Sequence, residues 1–350
     1  MFNQGYSLDY YLIFHMQSNH THGFLPVAAA LSGNIVVTLI KFFAAFISGS
    51  SALFSESIHS FADTSNQVLL LVGLKRSKKL PDDESVYGYG NERFFWALIS
   101  ACCIFFVGAG VTTYKGINAL IHPEPILFAS IIFFILAASF IIESYTLYLA
   151  IRELRKIYPS LTWKERMKEG DPSTLAVFFE DGLAVIGVAI AAFSLLLAKY
   201  TGNHVYDAIG SIIIGISLGV VALILIVKNR VYLVGKQIPE DLQDKIIAKL
   251  EADPAIESVL DFKSNTLDIG IYRIKCEIEF NGMVLLQEIM KNNSLEDEYE
   301  EIKDDYEEFK RFCFDYADRI PRLVGRKIDE IETELKKENP GVKYIDIEIN

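Results

Sequence analysis

Six apolar stretches, each long enough to cross a bilayer, follow one another along this chain: Phe24–Ile47, Ala52–Leu74, Phe94–Tyr114, Ile126–Ala150, Thr174–Ala198 and Val205–Val227. A hydrocarbon core about 30 Å thick needs about 20 mostly apolar residues per helix. With 51% hydrophobic residues, the chain is too apolar for an ordinary soluble domain. The expected fold is an all-α six-helix membrane domain over residues 24–230. A tail over residues 1–23 precedes it, and a soluble segment over 231–350 follows, long enough for one small domain. The opening 23 residues are polar and lack a basic start, so they are read as a tail without a cleavable signal peptide.

Charge divides the chain at the same place. From Arg230 onward there are 18 Lys and Arg against 29 Asp and Glu, whereas the preceding part holds 15 against 16. The acidity belongs to the tail, which excludes nucleic acid as an expected partner. Basic residues mark one side of the bilayer. "LKRSKK" (Leu74–Lys79), "IRELRKIYPSLTWKERMK" (Ile151–Lys168) and "KNR" (Lys228–Arg230) fall on a common side if there are six spans. The positive-inside tendency then puts both termini in the cytoplasm, or in the matrix of an organelle. The four cysteines, Cys102, Cys103, Cys276 and Cys313, show neither metal spacing nor a disulfide pattern.

The second stretch is the least apolar, and the reason is a stripe. Ser55, His59, Asp63 and Gln67 recur every four residues, flanked by Glu56 and Asn66. Residues three and four apart share a helix face. Such a face cannot point at lipid, where one centred Asp costs about 2.5–3.5 kcal/mol on insertion scales. Interhelical hydrogen bonding explains Ser, Asn and Gln. A His and an Asp one turn apart are also placed to hold one cation, and imidazole with carboxylate suits Zn²⁺, Fe²⁺, Co²⁺ or Mn²⁺. Further ligands must come from other spans. The fifth offers Glu180 and Asp181, and the fourth offers Glu143. At 1.5 Å per residue, all three lie within a few ångströms of the level of Asp63, so depth permits either source. Lys41, alone in the first stretch, is expected to snorkel toward the outer interface. Asn34 and Asn66 are read as tuning the cavity by hydrogen bonds, and Asp207 as a structural acid.

These motifs resemble those of the cation diffusion facilitators, a family of six-span metal efflux proteins. "SGSSALFSESIHSFADTSNQVLLLVGLKRSKK" (Ser48–Lys79) resembles the family's second span, with its H-x-x-x-D pair at His59 and Asp63. "YGYGNERF" (Tyr87–Phe94) resembles the loop before the third. "DPSTLAVFFEDGLAVIGVAIAA" and "TGNHVYDAIGSIIIG" resemble the branch of the mitochondrial zinc transporter and its bacterial relatives. The resemblance implies a homodimer that exchanges a divalent metal for protons by alternating access. It implies metal ligands at His59, Asp63 and Asp181. Val177 stands where the family often has histidine and cannot ligate; either Glu180, which points about 100° away from Asp181 around the helix, reaches in as the fourth, or the site has three protein ligands plus water. An oxygen-richer shell is less zinc-selective.

Family tails are small α/β, ferredoxin-like domains. The sequence here fits a helix from about Glu240, strands through "SVLDF", "YRIKCEIEF" and "KYIDIEI", and an acidic helical insertion, Asn293–Phe312, read as a solvated face. No histidine follows His204, so the tail is not expected to bind zinc through imidazole. His15, His20 and His22 are read as part of a non-functional tail, and His122 and His204 as loop residues on the outer side.

The expected function is proton-coupled export of a divalent cation, zinc first, with the metal as transported substrate and no cofactor. The expected partners are metal ion, protons, the lipid bilayer and a second copy of the chain. The membrane is the inner membrane of a bacterium or of a mitochondrion. Alternatives are transport of Mn²⁺, Fe²⁺ or Co²⁺ on the same fold, a membrane metalloenzyme, and a non-transporting scaffold. The metalloenzyme lacks support, since such enzymes need clustered histidines or H-E-x-x-H.

Overall fold

The computed structural model describes residues 24–123, 125–157, 159, 161–170, 172–289 and 295–350. His15, His20 and His22 lie outside the described residues, as do Asn293 and Ser294 at the start of the acidic insertion. The chain forms two units. One takes in the described residues up to Leu80 together with Glu92–Arg230, and the other comprises Pro81–Asn91 with Val231–Asn350.

The first unit is built from long helices: α1 (Phe24–Ser48), α2 (Ser51–Ser77), α3 (Glu92–Ile121), α4 (Ser130–Ile157), the short α5 (Trp163–Glu169), α6 (Pro172–Thr201) and α7 (Val205–Gly235). Among the described residues, four helices, those starting at Glu92, Ser130, Thr174 and Val205, are long and apolar enough to cross a membrane. Helix α2 misses that measure because of its polar stripe. Helix α3 widens into a π-helical segment at Ile104–Ala109. The unit is inside-out relative to a water-soluble domain. Thr38, Lys41, Ser55, Glu56, His59 and Asn66 are buried, while Phe43, Phe46, Phe134 and Ile141 stand on the surface. That distribution suits a solvent as apolar as the side chains it meets.

The short connections α1–α2, α3–α4 and α6–α7 meet at one end. Gly49 turns the chain with φ +68°, and a Cβ there would come within 3.0 Å of the Pro125 carbonyl. Leu127 N–H donates to the Ser48 carbonyl, and His204 stacks on Phe128. Asp207, at the start of α7, accepts from Ser50 Oγ at 2.5 Å, Ser51 N–H at 2.6 Å and Ala52 N–H at 3.4 Å. A carboxylate on the open amides of a helix N-terminus is favoured by hydrogen bonding and by the helix dipole. Asp207 therefore holds the start of the striped helix, a structural role. The basic segments lie at the opposite helix ends. There Arg76 packs on Trp96, Arg155 and Arg166 pack on Trp163, and Lys228 Nζ donates to the Met167 carbonyl.

The second unit is an α/β structure. It comprises α8 (Glu240–Glu251), β1 (Ile256–Asp268), β2 (Ile271–Phe280), α9 (Gly282–Ile289), α10 (Leu295–Ile302), α11 (Tyr306–Glu338) and β3 (Val342–Ile349). The sheet order is β1-β2-β3, with β2 antiparallel to β1 and parallel to β3. A parallel neighbour requires a crossover, which α9–α11 supply. Alternation along β2 buries Tyr272, Ile274, Cys276 and Ile278. They pack against Ile246 and Leu250 of α8 and Ile331 and Leu335 of α11. On the other face run ion pairs, Arg273–Asp346 at 2.9 Å and Lys275–Glu348 at 2.6 Å. The residues 81–91 belong with this sheet: Tyr87 lies edge-on to Tyr344 and under the Arg273 guanidinium.

The acidic insertion differs from the single helical run that the sequence suggests. It breaks after Ile302, because Asp305 accepts from the backbone N–H of Glu307 and Glu308 and starts a new helix. Tyr306–Phe312 thus begins the long α11, whose far end reaches the core. The acidic side chains of Glu296, Asp297, Glu300, Glu301, Glu307 and Glu308 are exposed, as a solvated face requires.

Burial pushes the Cys276 thiol up to about 11, whereas Cys313 is exposed. The thiolate is the reactive form, so Cys276 stays a neutral, covered thiol near pH 7.5. A thiol-alkylating reagent is expected to modify Cys313 in the folded protein and Cys276 only after denaturant is added. Mass spectrometry of the tail peptides reads both; equal labelling without denaturant would mean that the sheet opens readily.

Candidate metal centre on the facing stripes of two helices

The polar stripe of α2 turns inward. Ser55, Glu56, His59 and Asn66 are buried and Asp63 is partly open. Ser50 caps the helix, its Oγ accepting from Leu53 N–H at 3.1 Å. Serine hydroxyls are consumed locally or by neighbours: Ser57 Oγ donates to the Leu53 carbonyl, and Ser55 meets Ser211 of α7 at 2.6 Å. What remains chemically available on this face is the pair one turn apart. His59 Nε2 lies 3.5 Å from Asp63 Oδ2. Both ring nitrogens of His59 are buried without a hydrogen-bond partner among the described residues. A buried imidazole normally has its nitrogens bonded, so this ring is available to a ligand.

Helix α6 packs against that face. Asn66 Nδ2 donates to both carboxylate oxygens of Glu180, at 2.7 and 2.6 Å. Asn66 lies three residues beyond Asp63, so this bond brings Glu180 to the same helix pair as His59 and Asp63. Asp181 is half-buried beside it, and Val177 is exposed. Asp63 stands in the electrostatic field of Glu180, Glu143, Asp181 and Lys41. Among the described residues no three His, Cys, Asp or Glu side chains are already gathered at ligating distance. The structure thus brings together His59 with Asp63, and Glu180 with Asn66, as two facing halves. Asn66 thus makes interhelical hydrogen bonds, to Glu180.

Lys41 does not snorkel. Its Nζ lies 3.0 Å from Glu56 Oε2 and hydrogen-bonds Glu143 Oε1, and the side chain is fully buried. The physical reason is pairing: an ammonium gains more from two converging carboxylates in a dry interior than from reaching a distant interface. Glu143 is accordingly an ion-pair partner of Lys41. Sequence reading missed this triad, although a single lysine inside an apolar span already signals a buried acidic partner. Close approach of α6 to α2 allows the packing. A Cβ on Gly187 would lie 2.0 Å from Glu56 Oε1, so any larger residue there forces that carboxylate to shift.

Residues 27–234 match the family model for the cation efflux transmembrane domain. The chain belongs to the cation efflux, or cation diffusion facilitator, family. The mitochondrial proton-coupled zinc antiporter SLC30A9 of Mus musculus is 37% identical over 328 residues, covering 92% of this chain and 58% of that protein. Metal tolerance protein C4 of Arabidopsis thaliana is 35% identical over 341 residues, 95% of this chain and 75% of that protein. The cation-efflux pump FieF of Cronobacter sakazakii is 23% identical over 250 residues, 70% and 78% of the two chains. This member of the family therefore spans little more than half the length of its animal relative.

Proposed function

We propose that this chain is a proton-coupled antiporter that moves a divalent cation, zinc first, out of the compartment faced by its basic loops. The observation that carries the reading is the buried His59 imidazole, without a hydrogen-bond partner among the described residues and 3.5 Å from Asp63, on the α2 face that meets Glu180 of α6. Family membership and the likeness to the mouse proton-coupled zinc antiporter support zinc and protons as substrates. On this reading α1–α4, α6 and α7 are six membrane spans, and α2 crosses because its stripe is covered by neighbours. The second unit is a ferredoxin-like dimerisation domain, and the protein works as a homodimer in an inner membrane, mitochondrial in a eukaryote.

His59, Asp63, Glu180 and Asp181 are the ligands. They close around the ion by releasing Glu180 from Asn66 or by admitting water as a fourth ligand. Metal binds only to neutral imidazole and ionised carboxylate, so loading releases protons. A histidine ordinarily titrates near pH 6.5, closest of the ligand types to physiological pH. Protonation of His59 from an acidic side expels metal, and deprotonation at the other side restores the site; alternating access separates the two events.

The test is zinc movement in proteoliposomes under an imposed pH gradient. Zinc is expected to run toward the acidic side, and faster with a steeper gradient. His59→Asp keeps a ligand but lowers its proton affinity, so its pH profile is expected to move toward acid. A rate indifferent to the gradient would mean facilitated diffusion, with His59 serving only as ligand. The same vesicles loaded with Mn²⁺, Fe²⁺ or Co²⁺ rank the cations.

A further inference from the structure

We propose that Glu56 and Glu143 form a second divalent-cation subsite, one helical turn beyond His59 and Asp63, which Lys41 fills as a tethered cation until metal arrives. The proposal rests on the transport reading above. Three helices meet at this point: α1 brings the ammonium, α2 brings Glu56 and α4 brings Glu143. Two carboxylates converging on one cation is the arrangement a divalent ion also requires, and hard cations take carboxylate oxygens readily.

The triad is not a fully satisfied structural ion pair. Glu56 Oε1 and Glu143 Oε2 are both buried with no hydrogen-bond partner among the described residues. A network that served only stability would use those oxygens. Glu56 Oε1 is aimed at α6, against Gly187, hence into the helix pair that carries the proposed metal ligands. Glu56 is three residues before His59, on one face of α2, so along the helix His59 stands between Glu56 and Asp63, with both ring nitrogens unpartnered among the described residues. An ion leaving Asp63 therefore meets His59 and then Glu56 without quitting this interface.

Burial gives the path its direction. On the α2 face Ser51, Ser55 and Glu56 are covered by Asp207, Ser211 and Lys41, whereas Asp63 and Gln67, further along the same ladder, are partly open. Metal entering past Asp63 is stopped at Lys41. To pass, it must replace the ammonium on Glu56 and Glu143. Asp63, vacated by the metal, already stands in the field of Lys41 and offers the displaced ammonium a carboxylate. One divalent charge and one ammonium thus change places, so that each set of acids keeps a cation beside it.

The experiment measures zinc bound at equilibrium by the purified full-length chain in detergent, with zinc alone as probe. Wild type is compared with His59→Ala, Lys41→Met and Lys41→Met/Glu143→Gln. Lys41→Met is expected to hold one more zinc per chain than wild type, and the double variant to lose that extra ion. No extra ion in Lys41→Met, or an extra ion that survives in the double variant, overturns the subsite. Should Lys41→Met fail to fold, Glu143→Gln keeps the Lys41–Glu56 pair. It is expected to bind as much zinc as wild type but transport it at least ten-fold more slowly in proteoliposomes; an unchanged rate overturns the proposal. Wild-type binding that His59→Ala does not reduce would overturn the transport reading and the subsite together. Binding that it does reduce, without the extra ion, overturns the subsite alone.

Discussion

His59→Ala and Asp63→Ala are each expected to transport zinc at about one hundredth of the wild-type rate or less, with near-normal expression. Loss of a mere outer-shell partner costs about 10–100-fold in metal affinity or activity, and direct ligands should exceed that. The folding cost is small for a specific reason. Both His59 nitrogens lack hydrogen-bond partners among the described residues, so removing the ring orphans no donor or acceptor there. Asp63 is partly open, and its removal lowers the repulsion among neighbouring acids. Purified variants in proteoliposomes, with a zinc-sensitive dye inside, read the rate, while yield and thermal midpoint read the fold. Near-normal zinc transport by Asp63→Ala would remove this face of α2 from the metal path.

Gly187→Val is expected to abolish accumulation of folded protein. A Cβ at that position would stand 2.0 Å from Glu56 Oε1 and 3.2 Å from its Cδ. The carboxylate cannot retreat easily, because its other oxygen is bound by Lys41 at 3.0 Å. Overpacking alone costs about 1–3 kcal/mol, and breaking a buried ion pair about 3–5 kcal/mol. Together these approach the whole stability of an ordinary domain, about 5–15 kcal/mol. Gly110→Ala is the control, since a Cβ there meets nothing within 4 Å. Its thermal midpoint in detergent should stay near that of wild type. A Gly187→Val protein as stable as that control would mean that α2 and α6 do not press together at Glu56.

The long helices were legible because each follows from a local property: enough consecutive apolar residues to form one. The stripe of α2 was legible for the same reason, since residues 59 and 63 share a face on any helix. The three strands of the tail were legible from β-branched runs, and β2 buries every second residue as its alternation suggests. The helix break at Asp305 was less so. A cap residue inside a run of acids looks like one more acid, and only the backbone N–H groups of Glu307 and Glu308 single it out.

The sequence by itself determined the membrane character, a break in the chain near residue 230, and that His59 and Asp63 share one helix face. Periodicity and composition are one-dimensional, and these properties depend on little else. The tertiary structure decided which charges meet. Glu180 bonds Asn66 across 114 residues, and Lys41 reaches Glu143 across 102. Depth along a helix can be counted from the sequence, but the direction in which each helix faces its neighbours cannot. That facing follows from close packing at points such as Gly187. It turned Lys41 from an expected interfacial residue into a buried cation, because in a dry interior a charge goes where its partners are.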